Sequence, residues 1–332
     1  MSLLPSPTGL FAMTAWAALG ALTFSQTPET PDEKTKTFPS VFKAPAARLE
    51  AVEPPADAVA AWTTRHFLVV SDTPIPPAAL QSFANTIESV PAVLDLFPIP
   101  LLGLPEGERP LIRLCRDEQG FTELGGPPSS AGYYQHRGKS VLIRADLLLS
   151  PQKGGNSKLR EEPDEDLLVH ELCHLSTSGT LQQAPPWLSE GIAEYLSIAH
   201  QRGGFYRFDD STRFIRNHFK RHLPTKDLAN LELPALSHTL KLSHREWSRE
   251  VAEADITDRY LPYATSLLFV HYLIEGGSSR RAGLREYLTE LSAPESRHHV
   301  SSDFDLDDPK SVEDKLTRYW TKNGMNLRFS AR

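Results

Sequence analysis

Alternating apolar and polar positions in the first half of the chain predict a small β-sheet. We predict strands at residues 65–71, 110–115, 131–136 and 140–144. The last two strands form a hairpin around Arg137 and Gly138. Apolar residues three to four apart after Pro76 and Pro77 predict a helix, and we expect Pro91 to interrupt it.

The second half of the chain has a mainly helical pattern. It predicts a helix that ends near Gly179, one after Pro185 and Pro186, one from Asp210, an apolar one that ends at Gly276, and two amphipathic ones at 280–291 and 310–323. The fold class is therefore α+β, with a small mixed sheet packed on the first of these helices and a mainly helical C-terminal part. The folded domain should cover residues 61–292, with 293–332 as a helical extension packed on it.

The amino-terminal segment has a different composition. Residues 9–25 form a long apolar run with the length of a signal-peptide core, and small residues precede Gln26, although no Lys or Arg precedes the run. We expect residues 1–25 to direct export to the periplasm or outside the cell, either as a cleaved signal peptide or as an uncleaved membrane anchor. Residues 26–60 are rich in Pro, Thr and Ala and predict a linker with little capacity to pack.

Composition excludes some classes of function. The chain has 332 residues, 40% of them hydrophobic, which is enough for a sizeable core. The net charge is −7 and no basic cluster stands out, so we expect no nucleic-acid partner. Cys115 and Cys173 are too few for a disulfide framework. We expect Cys173 to be a small buried residue, with a bridge to Cys115 as the alternative.

One motif carries candidate chemistry, the run from His170 to His174. Residues four apart share one face of a helix, so His170 and His174 can offer two imidazole nitrogens to one ion. Glu171 lies beside them, within reach of a water on that ion. A catalytic zinc needs a third protein ligand, and Glu190 is the candidate. The alternative is an ordinary polar helix face, but a second acidic segment after a Pro-Pro turn argues against it.

The two segments together resemble a known group of enzymes. The run His170-Glu171-Leu172-Cys173-His174, followed by Pro-Trp-Leu-Ser-Glu-Gly-Ile-Ala-Glu-Tyr at 186–195, is similar to gluzincin metallopeptidases, in particular the compact bacterial peptidase MA-like families. The resemblance covers residues 166–196. It implies a zincin-like fold, one zinc ion held by His170, His174 and Glu190, and Glu171 as general base.

The resemblance also implies supporting residues. Glu194 would hold a ligand imidazole through its other ring nitrogen, and Asp166, one turn ahead of His170, could act in the same way or serve the helix dipole. Related enzymes place a Tyr at the start of a helix to stabilise the oxyanion. Tyr263 matches that position best, and Tyr260 is the second choice.

A sheet edge beside the metal helix should bind extended substrate. The strand that contains Ala131, Gly132 and Tyr133 is our candidate, by resemblance and because an extended peptide can add to a free edge; an ordinary sheet edge is the alternative. Aminopeptidases of the group carry an acidic residue in the comparable strand. Residues 130–134 contain none, which favours endopeptidase action on a peptide or protein substrate.

The preferred hypothesis is an exported zinc peptidase that uses a metal-activated water. One alternative is a metal-binding or envelope interaction protein that keeps the fold without turnover, although the intact Glu171 argues against it. Another is an anchored interaction module in which the motif is accidental. No Gly-x-Ser-x-Gly elbow and no phosphate-cradling Gly-rich loop supports a rival chemistry.

Overall fold

The computed structural model describes residues 39–104, 107–128, 130–148, 165–223, 227–255, 258–292 and 308–330. The described residues all belong to one compact unit. The expected leader at 1–25 lies outside the described residues, as do the first part of the expected linker and residues 293–307 of the expected extension. No helix in the described part of the chain is long and apolar enough to cross a membrane.

The chain is a mixed α+β protein. Its strands are β1 Val41–Lys43, β2 Glu50–Val52, β3 Ala60–Thr63, β4 Leu68–Ser71, β5 Leu111–Cys115, β6 Gly132–Gln135, β7 Ser140–Arg144, β8 His200–Arg202, β9 Phe205–Arg207, β10 Leu231–Pro234 and β11 Leu327–Ser330. Its α-helices are α1 Pro77–Asp95, α2 Glu118–Glu123, α3 Ala145–Leu148, α4 Glu165–Ser176, α5 Pro186–Ala199, α6 Ser211–His222, α7 Leu236–Thr239, α8 His244–Glu253, α9 Leu261–Glu275, α10 Ser278–Ser292 and α11 Pro309–Lys322. The α+β prediction is therefore confirmed at this level.

The main sheet has six strands in the order β2-β3-β4-β5-β7-β6. Its centre is parallel, from β4 through β5 to β7, and its outer pairs are antiparallel. The predicted hairpin is formed by β6 and β7, with β6 at the edge of the sheet. Val69, Ile112 and Val141 are fully buried, so the central strands supply the core.

Two strands lie where the sequence predicted a linker. β1 pairs with β9, and β2 pairs with β3 at the far edge of the main sheet. All three residues of β2 are exposed. A short edge strand is held by backbone hydrogen bonds and needs little apolar surface. A Pro- and Ala-rich segment can therefore form such a strand without an apolar pattern in its sequence. Paired strands therefore occur before residue 61, at residues 41–43 and 50–52.

Helix α1 also differs from expectation, since it runs through Pro91 without a break. Pro91 is buried along with Val90 and Val93. A proline inside a helix removes one backbone hydrogen bond. Burial of the apolar face on both sides of Pro91 offsets that loss, so the helix continues.

Helices α4, α5 and α9 form the layer that positions the candidate site. α4 packs against α1, α5 and the edge strand β6, and α5 packs along α9. α9 is buried on nearly all sides. A side chain at Gly191 of α5 would stand 2.7 Å from the carbonyl oxygen of Ser266 and 2.6 Å from a Val270 methyl group, so glycine permits the close approach of α5 and α9.

The C-terminal residues belong to the same body. Helix α11 packs on α7 and α9, and the buried Trp320 donates its indole N–H to the carbonyl of Leu268, at 3.2 Å. The chain then adds β11, which pairs in parallel with β10. The sequence predicted the helix but not this final strand.

Candidate metal centre

His170 and His174 lie one turn apart on α4, and Glu190 reaches them from α5. The two Nε2 atoms are 3.1 Å apart. Oε2 of Glu190 is 3.2 Å from Nε2 of His170 and 3.3 Å from Nε2 of His174. Three ligand atoms from two helices therefore form a nearly equilateral triangle, and this group could hold a metal ion.

The size of the triangle fits a small tetrahedral ion. Two atoms that are each about 2.1 Å from one ion and subtend the tetrahedral angle lie about 3.4 Å apart. The three separations here are 3.1, 3.2 and 3.3 Å. Two imidazoles and one carboxylate are also the donor set of known hydrolytic zinc sites. The residues present therefore fit a zinc ion.

A second carboxylate supports the first imidazole. Oε1 of Glu194, one turn after Glu190 on α5, lies 3.3 Å from Nδ1 of His170. Such a partner fixes the ring orientation and would leave Nε2 available to a metal ion. Asp166 lies in the first turn of α4 and is half-buried. The sequence analysis proposed Glu194 or Asp166 as the partner of a ligand imidazole, and Glu194 makes this contact with His170.

Tyr260 extends this network away from the metal. Its hydroxyl donates to Oε2 of Glu194, at 2.5 Å, and lies 2.7 Å from Nε2 of the buried His218. The hydroxyl has one proton and gives it to Glu194, so His218 donates to the hydroxyl from Nε2. Burial raises the pKa of Tyr260, and the charge of Glu194 raises it further. Tyr260 is therefore a fixed donor to a supporting carboxylate.

Electrostatics at the centre favour a cation. Burial acts to lower the pKa of His170, but Glu190 and Glu194 raise it well above its usual range. Burial likewise acts to raise the pKa of Glu190, but His174 and His170 hold it well below its usual range. The buried carboxylates thus need positive charge among them. A divalent cation meets the same need and leaves both imidazoles neutral.

Glu171 lies between the metal ligands and the sheet edge. Its Oε2 accepts the backbone N–H of Tyr134 in β6, at 2.7 Å. A side chain at Gly132 would meet the Glu171 methylene at 3.3 Å, so glycine lets the strand approach the helix. The carboxylate is thereby fixed beside the candidate ligands, on the side of the unpaired edge of β6.

The strand register identifies which backbone groups face outward. Ala131 accepts a hydrogen bond from the N–H of Arg144, and Tyr133 lies opposite Leu142 two residues on. In an antiparallel pair, alternate residues turn their N–H and C=O toward the partner strand. Ala131 and Tyr133 therefore pair inward with β7. The outward backbone groups on this edge belong to Gly132 and Tyr134. Of the three candidates from the sequence, Ala131, Gly132 and Tyr133, only Gly132 turns its backbone groups outward.

Tyr263 stands on the metal side of α9, in its first turn. Its ring centroid is 6.4 Å from that of His170 and 5.2 Å from that of Trp247 on α8. Burial raises the pKa of Tyr263, and the charge of Glu190 adds to the effect. The hydroxyl therefore stays protonated and can act as a hydrogen-bond donor.

Two exposed histidines at the rim escaped the sequence analysis. The ring of His136, just past β6, lies 4.7 Å from that of Tyr134, and the ring of His244 lies 6.2 Å from that of His136. Burial and the charges of His174 and His244 lower the pKa of His136. Its place in the strand predicted to lie beside the metal helix was a usable signal. His244 lies 70 residues after His174 in the chain, and no sequence signal placed it near the metal helix.

Both cysteines are free and buried. Burial raises the pKa of Cys173 far above its usual range and that of Cys115 to about 11. Burial therefore disfavours the thiolate of each cysteine, and the disulfide alternative is wrong. A comparison of the chain with protein-family models and with curated proteins finds no match. The functional assignment therefore depends on the residues and their geometry.

Proposed function

We propose that the protein is a metal-dependent hydrolase. The observation that carries the proposal is the convergence of His170, His174 and Glu190, whose three ligand atoms lie within 3.3 Å of one another. A carboxylate beside that triangle, Glu171, supplies a base. No covalent enzyme intermediate is required, because water is the nucleophile.

Within that class, we propose a zinc peptidase of the gluzincin type with a zincin-like fold, exported and with endopeptidase action favoured. The order of ligands on two consecutive helices supports this assignment, as does the mixed sheet whose edge lies along α4. When bound, a zinc ion polarises the scissile carbonyl and lowers the pKa of a water molecule. Glu171 accepts the proton of the attacking water and passes it to the leaving amine.

Two further groups act on the substrate. The outward backbone groups of Gly132 and Tyr134 pair with an extended peptide, as a strand added to the sheet edge. In this structure the N–H of Tyr134 donates to Glu171. A substrate that pairs with this N–H would therefore change the contact that orients the base. The protonated hydroxyl of Tyr263 donates to the oxyanion as charge develops on it.

The test compares the wild-type protein with Glu171→Gln. We expect elemental analysis to find one zinc per chain in both proteins, because Glu171 is not a ligand. Hydrolysis of a mixed peptide library should fall by about a thousandfold or more in the variant, since general base catalysis and water positioning are both lost. A matched control is Glu118→Gln, an exposed acid on α2. Equal rates from Glu171→Gln and the wild type would refute the mechanism, and zinc bound without any turnover would favour a silent metal-binding protein.

A further inference from the structure

A groove with a volume of about 670 Å³ lies at the C-terminal end of α9, between the start of α10 and one face of α11. Tyr263 is 13 positions before Gly276, which lines the groove, so about 20 Å of helix separates the metal centre from it. The groove is thus a different place from the candidate catalytic site.

Among the described residues, the charged side chains that line the groove are all cations: Arg280, Lys315, Arg318 and Lys322. Two acids are next to lining residues in the chain. Glu275 is bonded to the hydroxyl of Tyr195, at 2.5 Å, and Asp314 lies 3.6 Å from the ammonium of Lys310. Four cations without a carboxylate among the described lining residues are unexpected on a chain whose net charge is −7. Such a groove would attract an anion.

Part of this charge has a structural role. The guanidinium of Arg280 donates to the carbonyl of Gly276 and lies over the ring of Tyr272, 4.2 Å from its centroid. Arg281 donates to the carbonyl of Ile274, at 2.9 Å. These two arginines cap the last carbonyls of α9, as cations at a helix C-terminus commonly do.

The three cations of α11 have no such role. Lys315, Arg318 and Lys322 are three and four residues apart, so they lie along one face of the helix. None of them forms an ion pair with a carboxylate in the part of the chain that the structure describes. Like charges at this spacing destabilise a helix. An anion bound between them would remove that repulsion.

Two uncharged groups at the groove also favour an anion that has oxygen acceptors. Tyr272 lines the groove and is 2% exposed, yet its hydroxyl has no hydrogen-bond partner among the described residues. A buried hydroxyl without a partner is costly. It is covered in this structure, since the Arg280 guanidinium lies over the Tyr272 ring, so a ligand oxygen would satisfy it only when the covering side chains move. The 15-residue helix α10 starts at the groove with Ser278, so its first backbone N–H groups, which lack partners within the helix, lie there too.

We infer that this groove binds a phosphate monoester. A phosphate group carries nearly two negative charges and offers three acceptor oxygens to lysine, arginine, a hydroxyl and helix N–H groups at once. The groove is larger than a phosphate alone and of the size of small-molecule sites, so it has room for the esterified part of the ligand. The source is either a soluble phosphate ester or the headgroup of an acidic lipid. This inference is independent of the proposed peptidase activity.

The test uses the full chain with a chelator present, so that phosphate cannot bind at a metal. Binding of inorganic phosphate is followed by phosphorus NMR, and cosedimentation is measured with phosphatidylcholine vesicles with and without phosphatidic acid. Because the apolar run 9–25 can bind any lipid, only the difference between the two vesicle compositions counts.

Lys315→Gln with Arg318→Gln should weaken phosphate binding by about tenfold or more, the loss expected for a charge-assisted hydrogen bond. Arg213→Gln with Lys220→Gln on α6 removes the same charge elsewhere and should change nothing. Both pairs are on helix surfaces, and peptide hydrolysis by either variant should equal that of the wild type if the protein is a peptidase.

Tyr272→Phe separates ligand binding from folding. Removal of an unpaired buried hydroxyl should leave the melting temperature unchanged or raise it, while phosphate binding weakens. Loss of the phosphatidic acid dependence in the α11 pair would identify a lipid headgroup as the source. Phosphate binding without that dependence would identify a soluble ester. No binding in either assay, or equal losses in the α6 control pair, would overturn the inference.

Discussion

The two tyrosines near the metal centre should have separable functions, and substitution of each by phenylalanine tests this. Tyr260 donates to Glu194, which in turn holds His170. Tyr263 packs beside His170, with its ring centroid 6.4 Å from that of the imidazole. Tyr260→Phe should therefore act on metal affinity, and Tyr263→Phe should act on turnover.

The size of each effect follows from the contacts. Loss of the Tyr260 hydroxyl leaves a buried oxygen of Glu194 without its 2.5 Å donor, which should destabilise the fold by about 1–3 kcal/mol. Glu194 keeps its contact to His170, so the zinc Kd should rise by about tenfold, the lower end of effects from such supporting groups. Loss of an oxyanion donor at Tyr263 should lower kcat by about 10²–10³ with the zinc Kd unchanged.

The assay measures the zinc Kd by competition with a chelator, and kcat at saturating zinc with a quenched peptide. Tyr319→Phe, on α11 at the other end of α9, is a control that removes a hydroxyl from a position away from the metal. If Tyr260→Phe lowers kcat and leaves the zinc Kd unchanged, the hydroxyl acts on substrate and our interpretation of the network is incorrect.

Three further predictions concern packing, pH and metal. Gly191→Ala should destabilise the protein by about 1–3 kcal/mol in urea unfolding, because the added methyl overlaps the Ser266 carbonyl; no change would mean that α5 and α9 can separate freely. Burial acts to raise the pKa of Glu88, but hydrogen bonds from His66 lower it below 4.5. Because the pKa of Glu88 is lowered in the folded state, its charged carboxylate stabilises the protein above the unfolded-state pKa, and this contribution is lost as the pH falls through the folded-state pKa. Glu88→Gln should therefore flatten the acid side of the stability profile. Chelation should lower the melting temperature, since zinc at about a thousandfold above its Kd stabilises by about 4 kcal/mol, and magnesium should not restore it.

The part of the site that the sequence predicted is the part that depends on local geometry. His170 and His174 share a face because a helix repeats every 3.6 residues, wherever the helix packs. Glu190 and Glu194 are one turn apart for the same reason, so a single contact between α4 and α5 brings both acids to the imidazoles.

The remaining features depend on packing between distant segments. Tyr260 and Tyr263 are three residues apart and lie on similar faces of α9, with nearly parallel rings 5.9 Å apart. Which hydroxyl meets Glu194 is decided by α5, 66 residues earlier in the chain. Strands β2 and β11 were missed because backbone pairing at a sheet edge leaves a weak pattern in the side chains.

Helix α9 connects the two sites and also limits how they can influence each other. Tyr263 at its start faces the metal centre, and Tyr272 near its end lines the phosphate groove. Coupling between two sites requires an element with two arrangements that each ligand stabilises differently. α9 is buried on nearly all sides, and Gly191 holds it within contact of α5, so a shift along its axis would force backbone atoms together. The helix therefore acts as a rigid spacer, and the binding free energies at its two ends should add independently.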